Sequence, residues 1–126
     1  MKIVDANFIL RYLLNDIEEQ ANEAYTILSR GSVYLPNEVI AEIVYVLEKV
    51  YKIDRKRIDV EITDLIESGN VYVDNIEIMS RALAIYAKSR LDFIDSILYA
   101  YATVVNATVY TFDIKLKNAI KAYNSK

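Results

Sequence analysis

The first 14 residues, MKIVDANFILRYLL (1–14), set the pattern that decides the fold. Lys2-Ile3-Val4 is a β-like triplet, Asp5 follows it at once, and from Phe8 to Leu14 apolar residues recur at helical spacing. The chain therefore opens as strand, acid, helix. The alternation continues: Ser32-Val33-Tyr34-Leu35 and Val71-Tyr72-Val73 read as short strands, and the β-branched run Thr108 to Phe112 as a buried one. Asp16 with Glu19 reads as a capping box for a helix whose apolar face is Ala21, Ala24, Tyr25 and Leu28, closed by a left-handed Gly31. Pro36-Asn37 opens a helix over about 38–52, with Val39, Ile40, Ile43, Val44, Val46, Leu47, Val50 and Tyr51 on one broad face. Asp54 caps a helix that stops at Ser68-Gly69. Ile76 to Ser89 and 94–106 are further helices, and a last one carries Leu116, Ala119 and Ile120. Strands alternating with helices, without hairpin turn signals, predict an α/β fold: a central parallel sheet flanked by helices on both faces.

Composition narrows the chemistry. A length of 126 residues fits one domain, 1–126, and 54% hydrophobic against 26% charged residues supplies a packed core. Eighteen acids against fifteen bases give a net charge of −3, which disfavours non-specific coating of a polyanion. There is no Cys and no His, so disulfides, thiolate or imidazole metal sites and Ser-His-Asp triads are excluded. The two glycines, Gly31 and Gly69, cannot compose a dinucleotide or P-loop phosphate motif. The opening apolar pair stops at Asp5, too short for a signal peptide, and a cytoplasmic location is expected. The uncharged run Ser96 to Phe112 divides at Asn106-Ala107 into a helical and a β-branched half, and reads as buried helix followed by buried strand, not as a membrane span.

What survives is carboxylate chemistry. Ligands of open parallel sheets gather beyond the carboxyl ends of the strands. Asp5 and Asp113 stand directly after the first and last predicted strands, where an Asp is equally the preferred helix N-cap. Asp95 begins an almost wholly apolar helix whose one polar stripe is Asp95, Ser96, Tyr99, Thr103 and Asn106. A carboxylate near a buried helix start needs a partner, and Asp92, three residues earlier, competes for the cap. Glu42 lies on the polar face of its helix, a surface position by pattern alone. Several acids without His or Cys select a hard divalent cation, Mg²⁺ or Mn²⁺, and such a site suits phosphodiester hydrolysis.

Four blocks now carry a resemblance: MKIVDANFILRYLLND (1–16), LPNEVIAEIVYVLEKVY (35–51), LDFIDSILYAYA (91–102) and VYTFD (109–113). In this order and spacing the chain resembles a PIN domain, most closely the VapC-type toxins of toxin–antitoxin pairs. The resemblance implies a Rossmann-like, three-layer PIN fold and an endoribonuclease dependent on Mg²⁺ or Mn²⁺. It puts the acidic site on Asp5, Glu42, Asp95 and Asp113, with Asn7, Asp92 and Thr111 as supporting groups. It also implies an RNA substrate, a cognate antitoxin protein and a homodimer. For Glu42 it overturns the surface reading, because a polar helix face can line an acidic pocket. Lys49, Lys52 and Arg55 lie in the one dense basic cluster, the best candidates for RNA contacts, although solvated helix ends and a turn are the more ordinary explanation. The eleven tyrosines fall mostly at core spacing.

Other readings fit less well or need a test. A haloacid-dehalogenase-like phosphatase requires a second Asp where this chain has Asn7, and a receiver domain requires paired acids after its first strand. An RNA-processing PIN nuclease that is not a toxin, and a non-catalytic module whose acids only cap helices, stay open.

Overall fold

The computed structural model describes residues 1–126, which form two compact units, Met1–Asp74 and Asn75–Lys126. The first holds β1 (Lys2–Ile3), α1 (Ala6–Leu14), α2 (Glu18–Ser29), β2 (Val33–Tyr34), α3 (Asn37–Lys49), α4 (Arg55–Glu67) and β3 (Val71–Tyr72). The three strands form a parallel sheet in the order β1-β2-β3, with Lys2 opposite Val33, Ile3 opposite Tyr34, and Tyr34 opposite Tyr72. This is the predicted α/β, parallel architecture, because strands joined through helices return in the same direction. The core gathers Ile9 and Leu10 of α1, Ala24 and Leu28 of α2, Val33 of β2, the predicted stripe Ile40, Ile43, Val44 and Leu47 of α3, and Ile58 and Ile62 of α4.

Three local expectations fail here. The capping box at Asp16-Glu19 does not form: Ile17 is the N-cap of α2, without a side-chain bond, and Asp16 accepts from the Arg11 guanidinium at 3.1 Å. A charge-assisted bond to a guanidinium is about twice as strong as a neutral one and outcompetes the cap. Val50 and Tyr51 are exposed because α3 ends at Lys49, before their predicted face is used, and Tyr25 of α2 is exposed as well. Gly31 does adopt the expected left-handed conformation, at φ +76°.

The second unit holds α5 (Ile76–Lys88), α6 (Phe93–Val104) and α7 (Ile114–Asn124). Ile78, Met79, Ala82, Leu83 and Tyr86 of α5 are buried, and the Tyr86 ring meets Phe93 of α6 edge-on at 5.6 Å. Leu91, Tyr99 and Leu116 form a further cluster, joined by Ile85, Val109, Ala119, Ile120 and Tyr123.

Three sequence expectations are corrected here. Residues 108–112 are not a strand: they pair with nothing, and Tyr110 and Phe112 are 93% and 98% exposed, while Val109 and Thr111 are half-buried. Composition favours β structure, but a strand exists only when a neighbour takes its backbone hydrogen bonds. Helix α6 buries Phe93, Ser96, Ile97, Tyr99, Ala100 and Ala102 and exposes Ile94, Leu98 and Tyr101, so part of its predicted polar stripe faces inward. Ser96 can be buried because its Oγ donates to the Asp92 carbonyl at 2.8 Å. Nor do most tyrosines enter the core: of eleven, only Tyr86 and Tyr99 are buried. No helix is long and apolar enough to cross a membrane.

Candidate acidic site

In the first unit, Asp5 follows β1 and caps α1, its Oδ1 accepting the Phe8 N–H at 2.9 Å. One bond to one oxygen leaves the other carboxylate oxygen for chemistry. Asp5 also lines a cavity of about 310 Å³ with Asn7, Phe8, Arg11, Gln20 and Glu23. Arg11 closes it: Nη1 binds Asp16, Nη2 donates to the Tyr51 hydroxyl at 3.2 Å, and Nε is buried without a hydrogen-bond partner. Glu42 is exposed on α3, away from the buried Ile40, Ile43, Val44 and Leu47, as its pattern predicts.

Of the basic cluster, Arg55 is committed within the protein, its Nε 3.1 Å from Glu48 Oε2, because the turn after α3 folds α4 back towards it. Lys49 lies 3.9 Å from the same carboxylate and stays exposed, and Lys52 is exposed in a left-handed turn.

In the second unit, Asp92 caps α6 and Asp113 caps α7, the latter accepting the Leu116 N–H at 2.8 Å. Thr111 Oγ1 accepts the Asp113 N–H at 3.0 Å and so fixes the backbone that presents this acid. Asp95 occupies the first turn of α6, half-buried. Burial first, then the charges of Asp92 and Asp113, push its carboxyl above the ordinary 3.8, against an opposing pull from Lys115. Asp95 is therefore within electrostatic reach of both Asp92 and Asp113.

The donor set is oxygen only, and mutual repulsion at Asp95 is the condition a divalent cation relieves, so the chemistry of these residues fits a hard metal ion. No group of three or more carboxylates is already gathered as a cage. Two arrangements had no sequence signal. One is the Arg11 cavity. The other is a Tyr34–Tyr72 ring pair at the ends of β2 and β3, 5.4 Å between centroids, with the Tyr34 hydroxyl donating to Asp74 at 2.7 Å. The first lies between two successive helices and the second joins residues up to 40 apart, and the periodicity of a single element reveals neither.

The family model of the PIN domain matches residues 2–121, nearly the whole chain. The protein belongs to the PIN domain family, a class of metal-dependent nucleases that act on RNA. Comparison with curated proteins and with solved structures returns no match.

Proposed function

We propose that residues 1–126 act as one domain, a Mg²⁺- or Mn²⁺-dependent endoribonuclease that serves as the toxin of a toxin–antitoxin pair. The observation that carries the reading is Asp95: a half-buried carboxylate held near two others, in a family of metal-dependent nucleases. Asp5, Glu42, Asp95 and Asp113 would hold the metal, which when bound supplies charge neutralisation at the phosphoryl group and a more acidic water. Asp5 and Asp113 keep one oxygen on a helix N-terminus, which fixes the direction of the other. Thr111 steadies Asp113, and Asn7 supplies an amide beside Asp5. Lys49 and Lys52 offer charge to RNA phosphates, with Arg55 joining only by giving up Glu48. A homodimer, a cytoplasmic site of action and an antitoxin peptide laid over the acids complete the proposal.

A second reading has its own support: Asp5, Asp92 and Asp113 all cap helices, as they would in a non-catalytic module. The test is RNA cleavage by the purified chain in EDTA, then in excess Mn²⁺, beside Asp95→Asn. Metal-restored cleavage that Asp95→Asn lacks supports the nuclease. No cleavage with any metal supports the module, and metal-restored cleavage that Asp95→Asn retains removes Asp95 from the site. Co-expression with the product of a neighbouring gene then tests the toxin role, through relief of growth arrest.

A further inference from the structure

We propose that the 310 Å³ cavity beside Asp5 is a nucleobase subsite that takes guanine from the RNA strand. The proposal rests on the nuclease reading and adds a base preference to it.

The volume is at the lower end of the range for small-ligand pockets, about 300–1,000 Å³, and suits one base better than a larger ligand. Charge argues against a phosphate. Arg11 is the only cation in the walls, and Asp16 already neutralises it, so that with Asp5 given to the metal Glu23 still leaves the lining net negative. A neutral group is favoured there. Phe8, half-buried at the wall, offers an aromatic surface, and bases splayed from single-stranded RNA are held by such rings while their edges are read by hydrogen bonds.

The polar groups then choose among the bases. Glu23 is exposed on α2, and its carboxylate brings two acceptor oxygens and no donor. Guanine alone presents two adjacent donors, N1–H and the N2 amino group, on one edge. Adenine and cytosine place a ring acceptor beside their amino group, and uracil flanks its single N–H with carbonyls, which a carboxylate repels. The amides of Asn7 and Gln20 can donate to guanine O6 and N7, completing recognition on the other edge.

The full chain is incubated in Mn²⁺ with an RNA pool of random sequence and the cut ends are mapped. Guanine should be enriched at one fixed position relative to the cut. Glu23→Gln should flatten that enrichment by about tenfold or more, the worth of one bidentate base contact, by slowing cuts at guanine-bearing sites. Cleavage without guanine enrichment, or enrichment that Glu23→Gln leaves intact, overturns the subsite while the nuclease reading stands. Should no RNA be cut, the nuclease reading falls, and guanosine against cytidine, followed by NMR of the full chain, judges the cavity alone. Shifts at residues 5–23 with guanosine only, lost in Glu23→Gln, uphold it, and their absence overturns it.

Discussion

Asp92 Oδ1 accepts the backbone N–H of Asp95 at 2.8 Å, so one acid of residues 91–98 caps α6 and thereby seats the other in its first turn. The two carboxylates divide their work. Asp95→Asn should lower the rate at least about 10²-fold, as for a group that positions metal or water, whereas Asp92→Asn should cost about tenfold or less, because Asn caps nearly as well as Asp. Single-turnover rates in saturating Mn²⁺ decide between them, and a dead Asp92→Asn beside an active Asp95→Asn would reverse the assignment.

The raised Asp95 carboxyl has a consequence for stability. Folding disfavours its ionised form, so the penalty is absent below the ordinary 3.8 and grows as pH rises through and past that value. Metal-free Asp95→Asn should therefore melt at or above the wild-type temperature at neutral pH, with the difference vanishing by about pH 3. Thermal melts in EDTA across that range check the sign.

Asp5 and Asp113 each serve a cap and a proposed metal site, and paired substitutions separate the two. Asp5→Asn and Asp113→Asn retain a capping side chain, so melting should be unchanged while cleavage is lost. Asp5→Ala and Asp113→Ala should lose cleavage and also about 1 kcal/mol of stability. Cleavage that survives in the Asn variants would leave the caps as the whole role of these residues.

Oxygen-only donors predict the metal preference. After EDTA, Mn²⁺ or Mg²⁺ should restore cleavage, and Zn²⁺, which favours nitrogen and sulfur ligands, should do so poorly. Titration of the apo protein with each metal against labelled RNA reads this directly, and full activity in excess EDTA would sink the assignment.

Tyr34 gives a signal independent of catalysis. Its hydroxyl donates to Asp74, which pushes its pKa up to about 12, with burial and the charges of Asp74 and Glu38 adding to the effect. The neutral phenol is the form the fold favours, so its stabilising contribution is whole below the ordinary 10 and is lost as pH rises towards 12. Ultraviolet titration should show one late tyrosine that disappears in Tyr34→Phe and moves to lower pH in Asp74→Asn.

What the sequence by itself determined is the part of the structure that local forces write. Apolar spacing marked Ile40, Ile43, Val44 and Leu47 as the core face of α3, and Asp5, Asp54, Asp92 and Asp113 are helix N-caps because a side-chain oxygen needs to reach only three residues ahead. Strands joined by helices likewise made the sheet parallel. Tertiary structure decided the rest. Arg11 binds Tyr51, and Tyr34 binds Asp74, each across 40 residues, a separation over which no periodicity operates. Arg55 belongs to a basic cluster in the sequence, and only the fold sets Glu48 beside it. Residues 108–112 carry strand composition without forming a strand, because backbone pairing is supplied by another segment and not by the residues themselves.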